Sequence, residues 1–109
     1  MNAKKNKGDA AEREISRLIS ERTGFSVRRK LGAGRLDDEG DLDGIPDTTA
    51  QVASYKSVAD AVRKKVPACV EQQERAGTTF GVTFLRLHGG GWVAVMTLDQ
   101  WTTYAREAM

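Results

Sequence analysis

Gly40-Asp41-Leu42-Asp43-Gly44, continuing through Ile45-Pro46-Asp47-Thr48-Thr49-Ala50 to Gln51-Val52-Ala53-Ser54-Tyr55-Lys56, decides how this chain folds. It reads as two short strands joined by a turn. Pro46-Asp47 supplies the turn chemistry, because proline presets φ and aspartate bonds its own backbone locally. The second strand is rich in Thr, Val and Tyr, which suit a pleated surface. Side chains alternate across a strand, so Gln51, Ala53 and Tyr55 share one face while Val52, Ser54 and Lys56 share the other. An acidic residue ending one strand beside a polar residue opening the next is how a sheet presents a small divalent-metal site. Carboxylate, carbonyl and water oxygens are the donors Mg2+ prefers.

Towards the amino terminus, Ala11, Ile15, Leu18 and Ile19 recur at helical spacing, which predicts a helix over Asp9 to Thr23. Gly24 is its carboxy-terminal cap, with Phe25 folding back onto the last turn. Asp9 with Glu12 three residues later has capping-box spacing, in which Glu12 satisfies orphan backbone donors. Residues 1–7 read as a basic flexible arm before a single domain over residues 8–109. Phe25 to Lys30 is predicted to be a strand with Phe25 and Val27 inward and Ser26, Arg28 and Lys30 outward. Leu31 to Glu39 reads as a flexible acidic loop whose glycines permit close backbone approach or sharp turns.

Towards the carboxy terminus, Ser57 opens a helix with Asp60 three residues on. Val58, Val62, Val66, Cys69 and Val70 form its apolar stripe through Pro67, predicting one kinked helix or two abutting ones that end at Gly77. Gln72 and Gln73 near that end read as surface. Thr79 to Leu87 alternates with Phe80, Val82 and Phe84 on one face. His88-Gly89-Gly90-Gly91 then turns into Trp92 to Met96, completing a hairpin. His88, the sole histidine, is expected to be exposed and inert. Thr97-Leu98-Asp99-Gln100 is a capping box that starts a last helix with Trp101 and Tyr104 turned inward. The order predicts an α/β domain, a mixed sheet flanked by helices.

A chain of 109 residues has room for one domain and one modest core. Its net charge of +2 gives no global argument for nucleic acid. Local distribution says more. Lys4, Lys5, Lys7, Arg13, Arg17, Arg22, Arg28, Arg29, Lys30 and Arg35 crowd the first third, and the acids Asp37, Asp38, Glu39, Asp41 and Asp43 then arrive together. A basic region bordering an acidic knot suits phosphate binding beside a metal site, and it equally suits a charge-balanced solvated surface. The lone cysteine, Cys69, excludes an internal disulfide and a Cys-based zinc cluster, and reads as a small buried hydrophobe. No apolar run reaches membrane-spanning length and the amino terminus has no signal-peptide core, so a cytoplasmic (intracellular) protein is expected.

Asp41 followed by Gln51-Val52-Ala53 resembles the signature of the PD-(D/E)XK nucleases, an Asp followed by a strand carrying Glu-x-Lys, with Gln in place of Glu and Ala in place of Lys. The flanks strengthen the likeness. Lys7-Gly8-Asp9-Ala10-Ala11-Glu12-Arg13-Glu14 and Gly24-Phe25-Ser26-Val27-Arg28-Arg29 resemble the Lys-Gly…Glu-Arg helix and Gly-Phe-x-Val-x-Arg segment that open the archaeal-type Holliday junction resolvases. With the Phe80 to Trp92 hairpin, the resemblance covers most of the chain. It implies a restriction-endonuclease-like mixed sheet flanked by helices, and a Mg2+-dependent endonuclease acting on branched DNA as a homodimer, with Mn2+ as a substitute ion. Carried over residue by residue, Asp41 is the principal metal ligand and Glu12 a partner in the metal site. Gln51 is a neutral ligand through its amide oxygen, and Val52 gives a main-chain carbonyl. Asp43 is a further acid on Asp41's side. Lys56 or Arg35 stands in for the missing lysine, and Lys7, Arg13, Arg28, Arg29, Lys30 and Arg35 face the DNA. A relative of reduced catalytic power that binds DNA or a protein partner is the alternative.

Overall fold

The turn-forming and β-branched residues of the central stretch do build a hairpin. In the computed structural model, which describes residues 3–30, 40–54 and 57–109 (of residues 3–9 the backbone alone), β2 (Leu42–Asp43) pairs antiparallel with β3 (Thr48–Ser54). Asp47 takes a positive φ of 51° in the connecting turn, a conformation aspartate tolerates. Its carboxylate accepts the Thr79 amide at 3.0 Å and its carbonyl accepts the Phe80 amide at 3.0 Å, so the turn also anchors the start of β4 (Phe80–Arg86). The Thr79 contact holds the Asp47 carboxyl below the usual carboxylate range.

The remaining strands are β1 (Arg28–Arg29) and β5 (Trp92–Val95), giving a five-stranded sheet in the order β1-β2-β3-β4-β5. Only β3 and β4 are parallel; every other pair is antiparallel. The sheet is therefore mixed and the fold α/β, as expected. A parallel pair needs a crossover, and α2 (Val58–Ala76) provides it. Ser57 caps α2 through its hydroxyl, which accepts the Asp60 amide at 3.2 Å. Gly77 ends the helix with φ 72°, its amide donating to the Gln73 carbonyl. Pro67 does not divide it: α2 is one continuous helix, and Pro67 is exposed.

Helix α1 (Ala3–Thr23) begins earlier than Asp9, taking in residues 3–7 that the sequence assigned to a flexible arm. Asp9 is thus inside the helix and forms no cap. The run before it contains no proline to stop the helix. Alternation along β3 then decides which helix covers which face. Ala50 and Val52 pack with Ala11 and Ile15 of α1, and with Leu42, Val27 and Val82. Ala53 lies on the other side with Ala61 of α2 and Leu85. Fully burying an aliphatic side chain such as Leu85 contributes about 1.5–3 kcal/mol.

Three apolar expectations are corrected. Phe25 is 40% exposed, because the chain joins the sheet only at Arg28; Val27 is anchored instead, its amide donating to the Ser20 hydroxyl at 3.0 Å. On α2 the buried stripe is Ala61, Val66, Cys69 and Gln72, while Val58 and Val62 face outward. Gln72 is therefore interior. In α3 (Leu98–Ala108) the capping box forms as read, but Trp101 and Tyr104 are about half exposed and Gln100 enters the interior. Gln100 Nε2 donates to Gln73 Oε1 at 3.1 Å, and Gln73 Nε2 donates to the Thr79 carbonyl at 3.0 Å. A chain of amides thus fastens α3 to α2, leaving its aromatics at the rim, where Tyr104 meets Phe80 edge to face. Cys69 is buried on the inner face of α2, and burial pushes its thiol up. Among the described residues no helix is long and apolar enough to cross a membrane.

Candidate functional site

Asp41 sits where β2 begins, and its backbone is held from both sides. Its amide donates to the Ala50 carbonyl at 2.8 Å, and its carbonyl accepts the Lys30 amide at 2.8 Å. Its carboxylate Oδ2 accepts the Val52 amide at 2.8 Å. A strand residue's N–H and C=O point to the same lateral side. The Val52 carbonyl therefore faces the same side as the Asp41 carboxylate. A carboxylate offers about four lone-pair sites, and the Val52 amide takes one of them.

Glu12 reaches this neighbourhood from α1. Its Oε1 lies 3.2 Å from Arg29 Nε, with a fifth of the side chain exposed. Arg29 is the β1 partner of Leu42, the residue after Asp41. Glu12 is thus tied through Arg29 to the β1–β2 ladder, one residue along from Asp41. Partly exposed pairs of this kind are worth about 0–1 kcal/mol, so the Glu12–Arg29 contact orients more than it stabilises.

Gln51 is placed elsewhere. It is 3% exposed and points to the α2 side of the sheet, whereas Glu12 lies over the α1 side. Its Oε1 is enclosed with no hydrogen-bond partner among the described residues. The sheet itself separates Gln51 from Glu12, so the two do not converge. Ala53 shares that buried face. The position that sequence matching passed over is Ser54, half-buried and of the same parity as Val52. The signal was the alternation itself, which puts Val52 and Ser54 together and Gln51 opposite.

Arg86 was also missed. It is the cross-strand partner of Ser54 on β4 and of Trp92 on β5. Its Nε lies 3.4 Å from Glu14 Oε1, and the Trp92 indole N–H donates to the same Glu14 oxygen at 3.4 Å. Asp43 is engaged by Lys30 Nζ at 3.6 Å. Arg13 and Arg28 are exposed. Lys56 and Arg35 lie outside the described residues, as does the side chain of Lys7.

The donors fit Mg2+ in the mode that ion usually adopts, one or two carboxylates with the rest of the shell as water. Asp41 and the Val52 carbonyl would hold it. Among the described residues no group of three or more His, Cys, Asp and Glu side chains gathers as a metal cage. Comparison with protein families, with curated proteins and with solved structures found no match to this chain.

Proposed function

We propose that this chain is a Mg2+-dependent, structure-selective DNA endonuclease similar to the Holliday junction resolvases, with a restriction-endonuclease-like fold. The observation that carries the reading is the 2.8 Å contact of the Asp41 carboxylate with the Val52 amide. It sets a carboxylate and a second-strand carbonyl side by side at the end of a short hairpin, the donor pair the resembled nucleases use. A bound Mg2+ polarises a phosphoryl oxygen and lowers the pKa of a coordinated water.

The strand parity supports a different reading frame from Gln51-x-Ala53. Ser54 shares the parity of Val52 in β3 and Lys56 follows it by two residues in the sequence, so Ser54-x-Lys56 has the spacing of the motif with serine in place of its acid. Lys56 then has the role of steadying the attacking water. Glu12 fixes Arg29, which meets charge developing on the phosphate. Arg13 and Arg28, which are exposed, are assigned with Lys7, Lys30 and Arg35 to contact the DNA backbone. A homodimer suits a four-way junction, because two symmetric cuts need two symmetric sites.

The second reading, a DNA-binding relative that cuts nothing, is favoured by Ser54 standing where the motif has an acid. Incubating the protein with labelled four-way, forked and linear DNA, with and without Mg2+, separates the two. Mg2+-dependent cleavage of the junction that Asp41→Ala abolishes supports the nuclease. Salt-sensitive junction binding without cleavage supports the binding module.

A further inference from the structure

We propose that Arg86 and Ser54 form a subsite for a phosphate oxyanion at the carboxy-terminal ends of β3 and β4. They are cross-strand partners, and adjacent strands lie about 4.8 Å apart. Both belong to the α1 side: Ser54 by its parity with Val52, and Arg86 by its contact with Glu14 of α1. The Nε of Arg86 is shielded from solvent, and its 3.4 Å contact with Glu14 lacks hydrogen-bond geometry. The Glu14 carboxylate is held in turn by the Trp92 indole. The root of the guanidinium thus sits against a carboxylate, while the Arg86 side chain as a whole keeps 36% exposure. A planar guanidinium suits bidentate contact with a phosphate, and a serine hydroxyl adds a further donor. Serine at position 54 adds no second carboxylate to that of Glu14 beside Arg86.

The subsite deepens the endonuclease reading and rests on it for the identity of its ligand: the phosphate belongs to the DNA strand lying beside Asp41. Its chemistry is tested without cleavage. In 15N-labelled protein at constant ionic strength, inorganic phosphate replacing chloride is expected to shift the Trp92 indole N–H saturably and leave that of Trp101 unmoved. Arg86→Gln is expected to lose the shift, and Ser54→Ala to weaken binding roughly threefold to tenfold, the value of one hydrogen bond. A Trp92 signal indifferent to phosphate in the unaltered protein overturns the proposal, as does an Arg86→Gln protein that responds like the parent. If Arg86→Gln fails to fold, Ser54→Ala and the phosphate-against-chloride comparison on the parent decide. Phosphate is also expected to displace labelled junction DNA more readily from the parent than from Arg86→Gln; equal displacement overturns the assignment to backbone phosphate. Phosphate binding with no cleavage of any DNA sinks the nuclease and keeps the subsite, whereas cleavage with an unmoved Trp92 indole does the reverse.

Discussion

Removing the Asp41 carboxylate separates its structural role from its chemical one. In Asp41→Ala the Val52 amide loses the acceptor 2.8 Å away, next to a side chain that is only 8% exposed. Leaving a buried donor unsatisfied costs about 1–3 kcal/mol. For a domain of this size each kcal/mol moves Tm by about 4–8 °C, so a fall of roughly 4–24 °C is expected. Asp41→Asn keeps an oxygen in place and loses only the charge assistance, so its cost should be about 1 kcal/mol. Both variants should lose Mg2+-dependent junction cleavage while retaining junction binding in low salt. Thermal and urea melts, paired with a cleavage assay on labelled junction, measure the two effects separately. Asp41→Ala melting like the parent would show that the Val52 contact contributes nothing. Asp41→Asn cutting at the parental rate would remove Asp41 from the metal site.

Lys56→Ala should reduce cleavage about a hundredfold or more, the scale of losing one charge-stabilising group, with junction binding changed far less; an unchanged rate assigns the role to Arg35 instead. Gln51→Leu should leave cleavage intact and hold or raise Tm, because it deletes an enclosed acceptor that has no partner among the described residues; loss of cleavage with the fold preserved would restore Gln51 to the site. Asp47 has a folded pKa below its unfolded value, so its contribution is present above the ordinary carboxylate range and is lost as pH falls through the folded value. Asp47→Asn should therefore flatten the acid limb of the stability profile, and an acid limb identical to the parent's would contradict the Thr79 contact as its cause.

Local signals carried much of the architecture. The Pro46-Asp47 turn, the Ser57 and Thr97 caps, the Gly77 stop and the hairpin joining Phe80–Arg86 to Trp92–Val95 all depend on neighbours in sequence, and all form where read. Positions governed by distant packing were harder. Helical spacing makes Val58 and Val62 as good a stripe as Ala61 and Cys69, and only the sheet beneath α2 chooses between them. The sequence turns Trp101 and Tyr104 inward, but a bonded chain of glutamines holds the space beneath α3. The burial of Gln51 was hard to read for a related reason. Residue identity favoured Gln51, whereas the face it occupies depends on where α1 lies, which no short spacing encodes. Arg86 had no local pattern at all; its position follows from β3 and β4 being parallel and in register.

Glu12 and Glu14, two positions apart on one helix, grip Arg29 on β1 and Arg86 on β4. Those strands are separated by β2 and β3, so a single rod reaches across most of the sheet's width. Sliding or rotating that rod by one residue would undo both grips together. The spacing between the two cationic groups is consequently set by helical pitch and not by loop length.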